Sequence, residues 1–204
     1  MALVIAALLL VQDSPADLYR SGLAAFESGR VDASAHAFDR LIELRPKSKP
    51  DLWQRGIALY YAERYDDCVD QFVSHRTVNP DDAENSVWHY LCVAQIDGHD
   101  QARADLFPAA DRRIPLMEIH ALFAGDSTPE AVLEAADAGN PSPNSRRVRR
   151  FYAQLYVALW YESHGNTERT LHHLERSLED GTIDHYMATV AEVHLKRLRK
   201  RAAE

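Results

Sequence analysis

The stretch WQRGIALYYAERYDDCV, Trp53 to Val69, carries a glycine, Gly56, in the middle of a run that otherwise reads as helix. Glycine inside a helix costs about 1 kcal/mol relative to alanine, so its presence points to a packing demand. Some neighbouring element must approach that face too closely for a Cβ.

Working outward from Gly56, the chain repeats itself at a spacing of 34 residues. Gly22 pairs with Gly56, Leu18 with Leu52, Val31 with Tyr65, Phe38 with Phe72 and Pro46 with Pro80. The first copy reads Leu18-x2-Ser21-Gly22-x2-Ala25, Ser34-x3-Phe38, Pro46, and the second reads Leu52-x2-Arg55-Gly56-x2-Leu59, Cys68-x3-Phe72, Pro80. Period and pattern resemble the tetratricopeptide repeat, in which each unit is a pair of antiparallel helices. Gly22 and Gly56 are then the small residues of the first helix against which the second lies. Val31, Ala35, Phe38 and Ile42, and in the next copy Tyr65, Val69 and Phe72, recur at the spacing of a buried helical stripe. Pro46 and Pro80 end the second helices.

Beyond residue 82 the pattern loosens. Trp88-x2-Leu91-Cys92 restores the first-helix signature two residues late, and its second helix would run into Pro108, which predicts a remodelled third unit. Ser127 and Glu130 are spaced as a capping box for a short helix closing on Gly139. A loop through residues 141–150 precedes a helix pair, Phe151–Ser163 and Thr167–Leu178, joined at His164-Gly165-Asn166 with Ala158 at the small site. A last helix from Ile183 to about Arg199 is expected to cap the array. The fold expected is all-α: a tetratricopeptide-type array (an α-solenoid of antiparallel helix pairs) with a divergent middle and a C-terminal capping helix. Its parts are an apolar N-terminal segment (1–13), two repeats (14–82), a divergent helical region (83–140), the loop, and the C-terminal helices (151–204).

RGIALYYAERYDDCVDQF, VWHYLCVAQ and FYAQLYVALWYESHGNTERTLHHLERSL occur in an order that resembles the NlpI family of bacterial envelope lipoproteins, across most of Ala16 to Leu195. The resemblance implies a dimeric, non-enzymatic adaptor that brings a periplasmic protease and peptidoglycan hydrolases together. One departure is that no cysteine follows the apolar start, so the lipid anchor of that family has no attachment residue before Cys68.

Composition narrows the remaining classes. The 204 residues are 46% hydrophobic with a formal charge of −8, which gives no field for nucleic acid. The two cysteines, Cys68 and Cys92, read as small buried residues, with a single bridge as the alternative. Ala2 to Val11 is too short to span a bilayer and suits the apolar region of an export signal, which places the chain in the periplasm or cell envelope. The alternative is a cytoplasmic regulatory module.

In stacked helix pairs the first helices line the concave side. That makes Tyr19, Leu23, Phe26, Trp53, Ile57, Tyr60, Tyr61 and His89 candidates for a groove holding a protein or peptide partner. The Lys and Asn with which some such domains hold a terminal carboxylate are replaced here by Tyr19 and Leu23. No nucleophile motif or phosphate loop is found, and no catalytic residue, metal or cofactor is expected. His164, His172, His173, His185 and His194 leave a metal-dependent hydrolase as the weakest reading, although His172 and His173 diverge by about 100° on a helix. Two basic clusters, Arg146/Arg147/Arg149/Arg150 and Lys196/Arg197/Arg199/Lys200/Arg201, read as solvated surface, with contact to an anionic surface, lipid headgroups or nucleic acid, as the functional alternative.

Overall fold

The computed structural model describes residues 14–179 and 183–202, and every regular element in it is helical. The expected apolar segment at residues 1–13 lies outside the described residues. Ten α-helices follow in chain order: α1 Pro15–Glu27, α2 Val31–Leu44, α3 Trp53–Tyr61, α4 Tyr65–Arg76, α5 Ala83–Ala104, α6 Leu116–Ala124, α7 Pro129–Asp137, α8 Pro143–Ser163, α9 Thr167–Glu179 and α10 Tyr186–Arg201. Each packs chiefly on its neighbours in sequence, most extensively α8 on α9 and α1 on α2. Among the described residues no helix is long and apolar enough to cross a membrane.

The glycines do what the sequence requires of them. A Cβ on Gly22 would stand 2.8 Å from the ring tip of Phe38, and one on Gly56 would stand 2.6 Å from that of Phe72. Each phenylalanine therefore fills the space that the glycine leaves, and both rings are fully buried. Ser34 Oγ, on α2, donates to the Gly22 carbonyl at 2.8 Å, tying the pair together. In the C-terminal pair Ala158 and Leu174 stand at the same sixteen-residue spacing, and both are buried.

Several boundaries differ from expectation. Pro46 opens a short 3-10 turn (Pro46–Asp51) leading into α3, and Pro80 lies in the loop after α4. The remodelled third unit is α5 broken at Gly98, whose φ of 83° and ψ of 175° leave the helical region. The cap of α7 is Thr128 and not Ser127, because the Thr128 hydroxyl accepts from the Ala131 N–H. The expected loop through residue 150 is mostly helix: Ser142 caps α8, and Pro143 occupies its first turn, where a missing N–H costs nothing. Arg150 then pairs with Asp137 at the end of α7 through two bonds of 2.9 and 3.0 Å.

Cys68 of α4 and Cys92 of α5 form a disulfide, so the expected pair of separate buried thiols is instead one bridge between consecutive helices. A buried ion network sits nearby. Arg55, 5% exposed, reaches Asp39 at 2.8 Å and Gln71 at 2.9 Å, and Arg64 meets the second oxygen of Asp39 at 2.6 Å.

Candidate functional site

The face of the first helices, where the candidate groove lies, is occupied by α10. His185 stacks on Trp53 with ring centres 6.0 Å apart, and Tyr186 packs on Phe26 at 5.6 Å and on Trp53 at 5.4 Å. Further along, His194 Nδ1 bonds the Tyr61 hydroxyl at 2.7 Å, and Arg197 donates to the Tyr61 carbonyl at 3.1 Å. The helix thus follows α3 from its first residue to its last. Phe26 and Tyr61 are covered by it, Ile57 and Tyr60 are buried as well, and only Tyr19, Leu23 and Trp53 of this face keep partial exposure. The capping helix predicted at the end of the array therefore seats in the predicted groove.

His89 is removed from that face altogether. It stacks on Phe107 at 3.9 Å, and Arg76 covers the same phenylalanine at 4.5 Å. Burial, reinforced by Arg76, pushes its imidazole down to about 4.

An open cleft of about 710 Å³ lies where α3, α4 and α5 meet the segment around Asp111 and the start of α10. Its lining combines aromatic side chains (Trp53, Phe72, Trp88) with charged groups. Arg113 reaches three carboxylates: Asp82 at 2.7 Å, Glu84 at 2.7 Å and Asp111 at 2.5 Å. Asp82 also caps α5, accepting from the Glu84 N–H at 3.0 Å, as its place at a helix start suggests. The second Glu84 oxygen accepts from the Tyr156 hydroxyl at 2.7 Å. Burial pushes the Glu84 carboxyl up to about 7 against the pull of Arg113, and the Asp82 charge adds to the rise.

At the rim, His185 Nδ1 accepts from the Met187 N–H at 3.3 Å and sits 3.2 Å from the Tyr152 hydroxyl. Accepting there requires the neutral ring, in keeping with a pKa lowered first by burial and then by Arg113. Two polar atoms of the cleft's α5 wall, Asn85 Oδ1 and Trp88 Nε1, have no hydrogen-bond partner.

The remaining candidates are dispersed. His164 stacks on His99, His173 bonds Gln154 at 2.7 Å, and His194 Nε2 stands 3.1 Å from Glu162 Oε2 without hydrogen-bond alignment. Among the described residues no group of three or more His, Cys, Asp or Glu is placed to hold a metal ion. In the basic clusters, Arg146 reaches Asp137 at 3.5 Å, Arg199 reaches Glu175 at 2.7 Å and Arg201 reaches Glu63 at 3.6 Å. Those cations serve contacts between helices.

Sequence reasoning missed Glu84, Asn85, Asp111, Arg113 and Tyr156. Nothing in the sequence pattern signalled the region, and Arg113 comes from an irregular segment that carries no periodicity. No protein-family model matches the chain.

Proposed function

We propose that the chain is a non-enzymatic interaction scaffold built on tetratricopeptide-type repeats, whose open recognition surface is the cleft between α3, α5 and the start of α10. The two glycine–phenylalanine contacts at one spacing support the repeat reading. What carries the functional reading is the cleft itself, open to solvent and lined by both aromatic and charged side chains. Volumes of roughly 300–1,000 Å³ with a few convergent polar groups are the usual form of a binding site. The partner is a protein or a peptide segment of one, and the resemblance to NlpI adaptors suggests a protease or a peptidoglycan hydrolase, with the scaffold as a homodimer. The Cys68–Cys92 bridge supports an oxidising compartment such as the bacterial periplasm. No nucleic acid is involved on this reading, and membrane association would come through the N-terminal segment.

The test is photo-crosslinking in the native host, with the reactive residue placed at exposed Asn79 on the cleft rim and, as control, at exposed Glu43 on α2. A discrete protein adduct from Asn79 and none from Glu43 is expected. No adduct at Asn79, or the same adducts at both positions, overturns the assignment.

A further inference from the structure

We infer that a second groove, between α4 and α5, docks an amphipathic helix of a partner protein whose apolar stripe is flanked by lysine or arginine. The groove shares no lining residue with the cleft, so the inference goes beyond the proposed function and gives the scaffold a second surface.

Apolar positions on two packed helices make the groove. On α4, Asp66, Val69 and Arg76 line it, and Val73 falls between them on the same helical face. On α5, Val93 and Ile96 line it, and the segment after that helix adds Leu106 and Phe107. The space is about 540 Å³ and open to solvent. Val73 is 47% and Ile96 43% exposed, so the apolar atoms that a partner would cover are within its reach. From Asp66 to Arg76 the α4 stripe runs about 15 Å, nearly three turns of a docked helix.

Charge selects the partner. Asp66, Asp97 and Asp105 line the groove against one cation, Arg76, which lies over the Phe107 ring at 4.5 Å. Among the described residues none of these carboxylates forms an ion pair, and Asp105 accepts from the Gln101 side-chain amide at 2.8 Å. Two of them oppose a helix dipole. Asp97 ends the helical run before the break at Gly98, and Asp105 is the C-cap of α5, positions at which the macrodipole disfavours negative charge. Cations brought by a partner relieve both. An anionic membrane would be repelled by the same carboxylates, and the chain's own apolar stretch, Ala2 to Val11, carries no cation to meet them.

The test is fluorescence anisotropy of the purified full chain with a labelled leucine–lysine peptide about four turns long, its leucines on one helical face, against the leucine–glutamate counterpart. A preference of at least about ten-fold for the lysine peptide is expected. Val73→Ser with Ile96→Ser should weaken its binding about ten-fold and Asp97→Asn about three-fold, at unchanged circular dichroism, while Leu44→Ser at an exposed position of α2 leaves it unchanged. Equal binding of the two peptides, or affinity indifferent to the Val73/Ile96 variant, overturns the inference. So does a dimer in sedimentation that this variant dissociates, displacement of the probe by a peptide of residues 1–13, or binding to phosphatidylglycerol vesicles that the variant loses, since each assigns the groove to another occupant. If Asn79 gives no crosslink while the lysine peptide binds here as expected, the cleft assignment fails and this one stands; the reverse result keeps the cleft and removes the groove.

Discussion

Replacing Gly56 by alanine should destabilise the protein, although alanine is the better helix former. The new Cβ would lie 2.6 and 2.7 Å from two atoms of the Phe72 ring, where carbon atoms normally rest about 3.5–4.0 Å apart. The ring must retreat by about 1 Å. It has little room, because Phe72 is 1% exposed and backed by Trp88, stacked at 6.4 Å. Overpacking of this kind costs about 1–3 kcal/mol, and the gain in helix propensity returns about 1 kcal/mol. The net loss is up to about 2 kcal/mol, or up to about 8 °C in Tm for a chain of this size. Phe72→Leu alone opens a void and should cost about 1–2 kcal/mol. In the double variant the added methyl occupies part of that void, so the two losses should fall short of their sum by at least about 1 kcal/mol. Urea unfolding followed by far-UV circular dichroism measures all four corners of the cycle. A Gly56→Ala variant more stable than the parent, or strictly additive losses, would refute the claim that the ring requires the glycine.

Asp39→Ala leaves the buried Arg55 guanidinium with Gln71 alone, and should cost about 3 kcal/mol in the same assay. A loss below about 1 kcal/mol would show that Arg55 swings out to water. Glu84, raised in the fold to about 7 from an ordinary 4.5, binds its proton more tightly folded than unfolded. Its contribution is therefore retained below pH 4.5 and lost as pH rises to 7, by at most about 3 kcal/mol. Glu84→Gln should remove that slope, so unfolding free energies of the two proteins measured from pH 4.5 to 8 must diverge with pH in favour of glutamine. His89 should stay neutral at pH 5.5 in a nitrogen-15 NMR titration, and an imidazolium signature there would contradict its burial against Phe107. Since its folded pKa lies below the unfolded 6.5, the stability it contributes is lost as pH falls from 6.5 towards 4.

The helices of residues 15–76 were legible because a 34-residue repetition and a 3.6-residue stripe act together, and the glycine within the stripe named its own neighbour. Where a boundary was misread, a local choice had two physical solutions. Ser142 and Pro143 can belong to a loop or open a helix, and the bonds from Arg150 to Asp137 at the end of α7 favour the helix. Ser127 and Thr128 can each cap α7, and the Thr128 hydroxyl is the one that meets an orphan N–H. The cleft was illegible for a different reason. Its charged wall joins Asp82 and Glu84 to Asp111 and Arg113 across an irregular stretch, and neither period nor spacing predicts where such a stretch returns.

The groove shows how a sound local inference can reach the wrong occupant. Phe26, Trp53 and Tyr61 do project from the first helices onto one face, and an apolar, aromatic face does require a helix or a strand to cover it. Composition cannot say whether that cover is a partner or the chain's own end. Two features of residues 185–197 favour the chain. Tyr186 supplies an aromatic ring to both Phe26 and Trp53, and His194 supplies a ring nitrogen as partner for the hydroxyl that Tyr61 would otherwise bury unpaired. Because α10 covers the middle of the face and begins beside Trp53, the cleft opens at the start of that helix. The docked helix thereby adds His185 and Met187 to the lining of the cleft, so its seating shapes that end of the site. Deleting α10 should accordingly abolish the protein adduct formed from Asn79 and not uncover a better groove; a stronger adduct from the truncated chain would show that α10 blocks the site it is here held to complete.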